Sequence, residues 1–358
     1  MKFAVTQPKE TAVHRSSSTR TVSRWLAIAT AALLPFAVAP ASAQTPAKQP
    51  LKLAINWFPT GDHAAYFVAQ EKGYFAQNGL DVAIEYSKGS ADSLAKADTG
   101  RADIAISDTS VVLSGIARGA KVKIVGMIFD DTPQNIFSRK DMPMRTPKDL
   151  VGKSIGAPPG DSQRMSWPAF ARQNGIDPNS VTWVNVEPSA KVAALAAKRV
   201  DGVADLQTGQ YSYDKAIGAD QVVTLPWAKF GFNMYSMAFV VSEKTLAERP
   251  EQVRGFLKAA YMGWRDVMND REKTLAIYKK RVPELDVDFI RNNQAMGIAL
   301  MRTSRYAQHG LGWIDEKKMC ESTEIANKYM NLPHPVDCKT VFTDAYLPKV
   351  PLPLSATN

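Results

Sequence analysis

The sequence predicts an α/β protein built as two lobes. Three observations carry that prediction. Strand and helix patterns alternate with short connections from Leu51 onward. The same alternation restarts after Pro133. The chain that follows an apolar N-terminal run is about 315 residues, which suits two units of ~150 better than one core.

The elements follow in order. Leu51 to Ile55 reads as a strand after a leader at 44–50, and Asn56-Trp57-Phe58-Pro59-Thr60-Gly61 as a loop punctuated by Pro and Gly. Asp62 is placed to cap a helix that runs to Lys72 and stops at Gly73. Leu80, Val82, Ile84 and Tyr86 alternate with more polar neighbours, the two-residue period of a strand. Gly89-Ser90 opens a helix ending at Gly100. Ile104 to Ser107 is a strand, Asp108-Thr109-Ser110 starts a helix that stops at Gly119, and Val122 to Phe129 is the fourth strand. Such a β-α series predicts a parallel sheet with helices on both faces.

The middle of the chain repeats the theme. Ser154 to Ala157 is a strand, Gly160-Asp161-Ser162 a turn, and Gln163 to Asn174 a helix. Val181 to Val186 is a strand, Ser189 caps a helix to Arg199, and Gly202 to Asp205 is a strand. After the strand Met237 to Ser242 the pattern becomes helical: 251–269, 271–281, 288–301 and 315–328. These helices are expected to pack back on the first lobe. The expected division is a leader at 1–43, lobe I at 44–133 and 235–358, and lobe II at 134–234.

The N-terminus has the order of an export signal. Arg15, Arg20 and Arg24 precede an apolar run from Trp25 to Ala39, and Ala41-Ser42-Ala43 supplies small residues at the cleavage spacing. The run is shorter than the ~20 residues of a membrane-spanning helix. Cleavage after Ala43 predicts a periplasmic protein. The full chain carries +9. The leader holds five basic residues and Glu10, so about +5 remains after cleavage. No basic run with interleaved aromatics is present, which argues against nucleic acid as a partner.

Cys320 and Cys338 are the two cysteines. In an oxidising compartment one disulfide is expected, the alternative being two separate buried thiols. His334 alone beside them does not make a metal site. No metal and no cofactor are expected.

In open α/β sheets a ligand sits beyond the carboxyl ends of the strands, where helix N-termini present free N–H groups. The loops at those ends are Trp57-Phe58 with His63, Gly89-Ser90, Ser107-Asp108-Thr109, and Gly160 with Ser162, Gln163 and Arg164; Asp205 ends a second-lobe strand. Each has a plainer reading. Trp57 can be packing, Gly89 and Ser90 a turn and cap, Asp108 an N-cap, and His63 a helix-start residue. Arg164 lies in a first helical turn, where a cation opposes the helix dipole, so an anion in the crevice would account for it. Tyr211, Tyr213, Trp227, Phe230, Phe232 and Tyr235 cluster near the return to the first lobe. Most are expected to pack there, with Tyr235 a candidate for the site and one or two able to stack on a planar ligand.

Several segments together resemble a known family. They are Asn56-Trp57-Phe58-Pro59, Ala69-Gln70-Glu71-Lys72-Gly73-Tyr74-Phe75, Gly79-Leu80-Asp81-Val82, Gly100-Arg101-Ala102-Asp103-Ile104-Ala105 and Asp149-Leu150-Val151-Gly152-Lys153-Ser154-Ile155-Gly156. The resemblance is to periplasmic solute-binding proteins for thiamine-pyrimidine precursors, sulfonates and related compounds. It implies the type II periplasmic-binding fold, two lobes around a crevice joined by two crossover strands. The crossings are expected near 132–135 and 232–236. It also implies a small-molecule ligand, an ABC permease as partner and action as a monomer. A thiamine-type pyrimidine, an aromatic carboxylate and a sulfonate all remain open as ligands. The same clan includes fungal enzymes that make a thiamine pyrimidine from their own histidine with a cysteine-rich segment. This chain lacks that segment, so binding without chemistry is the expected role and a clan-related enzyme the alternative.

Overall fold

The computed structural model describes residues 47–348, so the leader and its cleavage point lie outside the described residues. The first sheet begins with β1 (Gln49–Ala54), two residues earlier than the apolar pattern suggests. The Gln49 N–H donates to the Gly79 carbonyl at 2.8 Å, and this extends the ladder into a polar stretch. Helices α1 (Ala64–Glu71) and α2 (Tyr74–Gln77) follow, separated at Gly73, whose φ of 73° lets the chain reverse. Then come β2 (Leu80–Glu85), α3 (Ser90–Asp98), β3 (Ile104–Asp108), α4 (Thr109–Ala117) and β4 (Val122–Met127). Strand β1 pairs in parallel with β2 and β3.

The second sheet opens with β5 (Gln134–Arg139) and continues through β6 (Ser154–Gly156), α5 (Ser162–Gln173), β7 (Thr182–Val184), α6 (Lys191–Ala196) and β8 (Gly202–Leu206). It ends with α7 (Gln210–Ile217) and β9 (Val222–Pro226). Its strand order is β7-β6-β8-β5-β9. Strands β6, β7 and β8 run parallel, and β5 is antiparallel to β8 and β9. Neither β5 nor β9 was anticipated. β5 is buried along its whole length yet carries Gln134, Asn135, Ser138 and Arg139, so its composition hides a central strand.

The returning strand β10 (Met237–Ser242) corrects the expectation of a parallel first sheet. It inserts between β3 and β4, antiparallel to both, giving the order β2-β1-β3-β10-β4. Strands β3 and β4 therefore do not pair, although they are consecutive in the β-α series. A chain returning from the second sheet enters the first from the opposite end, which makes its direction antiparallel.

The rest is helical: α8 (Glu243–Glu248), α9 (Pro250–Asn269), α10 (Arg271–Arg281), α11 (Val287–Met301), α12 (Ser304–His309), α13 (Glu316–Tyr329) and α14 (Cys338–Val341). Helix α9 lies against α1 so closely that a Cβ on Gly263 would stand 2.1 Å from the Ala65 carbonyl oxygen. Phe256 stacks on Phe75 at 5.3 Å, and the Trp264 indole N–H donates to the Tyr66 hydroxyl at 3.2 Å. These apolar contacts continue the core beneath the first sheet. Helix α13 packs on both α4 and α5, so the C-terminal helices touch elements of both sheets. Cys320 and Cys338 form a disulfide with their Cα atoms 4.9 Å apart, tying α13 to α14. Among the described residues no helix is long and apolar enough to cross a membrane.

Candidate binding cleft

A cavity of about 350 Å³ lies where the loops after β1, β2, β6, β7 and β8 converge, and α11 closes one side. Its first wall is the loop after β1. Trp57 and Phe58 present tilted rings with centroids 5.9 Å apart. Thr60 organises the turn behind them: its hydroxyl bonds Asp62 and lies 2.9 Å from His63 Nδ1. His63 Nε2 is 3.1 Å from Asn56 Oδ1, so both ring nitrogens have partners. Burial pushes the His63 pKa below its ordinary value, against the pull of Asp62, and favours the neutral ring. The Asp62 N–H donates to Asn293 Oδ1 at 2.6 Å, and Asn293 Nδ2 donates to the Thr208 carbonyl at 2.9 Å. One asparagine of α11 thus joins the two walls.

The second wall is built on a buried charge cluster. Asp161 caps α5 through Oδ1, which accepts the Gln163 and Arg164 N–H groups at 3.0 and 3.3 Å. Its Oδ2 accepts from the Lys191 ammonium at 2.7 Å. Lys191 is 2 % exposed and lies 3.8 Å from Asp205 Oδ1. Asp205 Oδ2 accepts the Tyr213 hydroxyl at 2.8 Å, and the Tyr213 ring stacks on Phe137 at 4.1 Å. Burial opposes the Lys191 charge, but Asp161 and Asp205 together outweigh it and hold the ammonium above its ordinary range. The two walls also meet at the rim, where the Ala91 N–H donates to the Gly160 carbonyl at 3.3 Å.

The residues singled out from sequence divide into two groups. Trp57, Phe58, His63, Gly89, Ser90, Ser162, Gln163 and Asp205 line the cavity. Ser107, Asp108 and Thr109 lie behind it, fully buried. Ser107 donates to the Ser90 carbonyl, and the Asp108 N–H donates to Ser90 Oγ. The Asp108 carboxyl caps α4 and accepts from Ser236 and Gln134, while Thr109 donates to the Ser236 carbonyl. Burial lifts the Asp108 pKa above the usual carboxylate range. Asp108 and Thr109 anchor the segments that pass between the sheets, and Ser107 holds the start of α3. Gly160 contributes its carbonyl to the rim.

Arg164 and Tyr235 are corrections. The Arg164 guanidinium donates to the Ala157 carbonyl at 3.1 Å and Asn185 Oδ1 at 2.6 Å, and lies over the Trp183 ring. These bonds hold it outside the cavity lining. The Tyr235 hydroxyl accepts the Asp315 N–H at 2.9 Å, and Lys318 lies 4.7 Å from the ring centroid, so Tyr235 packs against α13. Trp227 stacks on Phe170 at 4.3 Å and meets Phe232 edge-on. Of the aromatic cluster, Tyr213 reaches the cavity.

Sequence reasoning missed Lys191, Asp62 and Asn293 as cavity residues. Lys191 carried the signal applied to Arg164, a cation in a first helical turn. Asp62 read only as a cap. Asn293 sits mid-helix and carries no local signal. Among the described residues no three His, Cys, Asp or Glu side chains gather as metal ligands.

The family model described as NMT1/THI5 like matches residues 60–274. The riboflavin-binding protein RibY of Chloroflexus aurantiacus is 28% identical over 324 residues, 87% of this chain and 91% of that protein. A 4-amino-5-hydroxymethyl-2-methylpyrimidine phosphate synthase of Legionella pneumophila is 24% identical over 66% of this chain and 75% of its own. The periplasmic aliphatic sulphonate binding protein SsuA of Escherichia coli superposes with a TM-score of 0.63 at 15% identity, over 82% of this chain and 97% of that one. The fold is that of the periplasmic binding proteins.

Proposed function

The chain belongs to the NMT1/THI5-like family, and from that premise we propose that it is the periplasmic solute-binding component of an ABC importer. It captures a small aromatic or heterocyclic compound in the cleft and passes it to a membrane permease, without chemical change. The observation that carries this reading is the cleft itself: both sheets contribute a wall, and the aromatic side chains of Trp57 and Phe58 line a cavity of about 350 Å³. That volume suits a small planar ring compound, and stacking on indole favours such a shape. The similarity to a riboflavin-binding protein supports the same ligand type.

Closure is a motion of two lobes, 44–133 with 235–358 against 134–234, about the segments near 132–135 and 232–236. A ligand touching both walls shifts the balance toward the closed form. The protein works as a monomer, and its place is an oxidising compartment, which the export leader and the Cys320–Cys338 disulfide both favour.

The rival reading is an enzyme related to the pyrimidine phosphate synthases. The state of His63 weighs against it, because both ring nitrogens are engaged by Thr60 and Asn56 and neither is left to move a proton at a ligand. The test is titration of the mature protein with riboflavin and with 4-amino-5-hydroxymethyl-2-methylpyrimidine, read by tryptophan fluorescence and thermal shift. Saturable binding, weakened at least about tenfold in Trp57→Ala, with the ligand recovered unchanged, is expected. Ligand conversion that disappears in His63→Ala would replace transport with catalysis.

A further inference from the structure

The charged side chains lining the cavity are unequal in number. Asp62, Asp161 and Asp205 stand against the single ammonium of Lys191. The neutral ring of His63 does not redress the balance. Lys191 is not available to an incoming anion, because it is buried between Asp161 and Asp205 and lies over the Trp57 ring, 4.6 Å from its centroid. The N-terminus of α5, where an anion would otherwise sit, is already occupied by the Asp161 carboxylate. Arg164 is held elsewhere by Ala157 and Asn185. Asp62 has no Lys or Arg partner among the described residues; it is bonded by the Thr60 hydroxyl. The cavity therefore offers three carboxylates and no free Lys or Arg, with the hydroxyl-bearing Ser189, Thr208 and Ser212 and the buried amide nitrogen of Gln163, which has no hydrogen-bond partner among the described residues, as neutral donors.

We infer that this site discriminates by charge: its solute is an uncharged or cationic heterocycle bearing N–H or O–H donors, and phosphorylated, carboxylated or sulfonated forms of the same ring are rejected. The inference rests on the binding-protein reading above and narrows its ligand class. The physical reason is that an anion brought into a partly desolvated cleft meets carboxylates and no free cation. Its lost hydration is not replaced, and the repulsion is screened far less than in water. Rejection of this kind is specificity built from an unfavourable contact rather than a better favourable one.

Matched pairs test it: riboflavin against its 5′-phosphate, and 4-amino-5-hydroxymethyl-2-methylpyrimidine against its phosphate, titrated by calorimetry into the mature protein. At least one alcohol is expected to bind, with its phosphate at least about tenfold weaker. In Asp62→Asn and in Asp205→Asn the gap is expected to narrow by about threefold or more, because each removes one repelling charge. A phosphate that binds as tightly as its alcohol overturns the charge inference and leaves the binding-protein reading standing. So does a gap that neither variant changes. Failure of all four compounds to bind overturns both.

Discussion

The Lys191 ammonium lies 4.6 Å from the centroid of the Trp57 ring, so a loop of the first sheet and a helix of the second meet through a buried cation on an aromatic face. A contact of this type contributes about 0.5–2 kcal/mol, more when desolvated. The same ammonium lies between two carboxylates, which makes it structural as well as part of the cleft.

Lys191→Met is expected to destabilise the protein by about 3–5 kcal/mol, the usual cost of leaving a buried ionic partner uncompensated. Urea denaturation of the unliganded protein measures it. Adding Asp161→Asn should recover part of the loss, since the second change removes the charge that the first left unpaired. Strict additivity of the two would show that Asp161 and Lys191 do not act as a pair.

Gly89 has a φ of 125°, and a Cβ there would lie 2.6 Å from the Gly160 carbonyl oxygen across the rim. Gly89→Ala is expected to weaken ligand binding at least about tenfold, because the walls can no longer approach. The control is Gly100→Ala, whose φ of 71° is also unfavourable but whose Cβ would meet nothing within 4 Å. That variant carries only the backbone strain of about 1–3 kcal/mol. It should lower the melting temperature without changing affinity.

Burial holds His63 below its ordinary value of 6.5 in the folded chain. Between the two values the unfolded chain binds the extra proton, so His63 makes stability fall as pH drops below about 6.5. Above that pH the ring is neutral in both states and contributes no slope. Denaturant midpoints measured from pH 8 to pH 5 should therefore decline in the wild type, and the decline should be shallower in His63→Gln. An equal decline in both would assign the pH dependence to other groups.

The Cys320–Cys338 bridge closes a loop with a sequence separation of 18. Its loss in the Cys320→Ser/Cys338→Ser variant should cost about 3 kcal/mol by the chain-entropy argument. Chemical denaturation with and without reductant checks this: the wild type should lose stability on reduction, and the double variant should not respond.

Much of the architecture was legible because its signals are local. The apolar runs of β1 to β4, the glycine stop at Gly73 and the Asp108 cap of α4 are each readable over a few residues. The strand-end loops followed from that order, which is why Trp57, His63, Gly89 and Gln163 were found. β5 escaped because its buried face is partly polar, and Asn293 because its role lies in contacts with Asp62 and Thr208, far away in sequence.

By itself the sequence determined the β-α order, its restart after Pro133 and the loops that end the strands, because periodicity, caps and turns are properties of short segments. Only the tertiary structure decided that β10 enters between β3 and β4, that Arg164 turns toward Ala157 and Asn185 while Lys191 turns into the cleft, and that three carboxylates share one cavity. Two cations in similar first-turn positions look alike in sequence. Which one lines the cleft is set by the partners that distant strands and helices bring beside it.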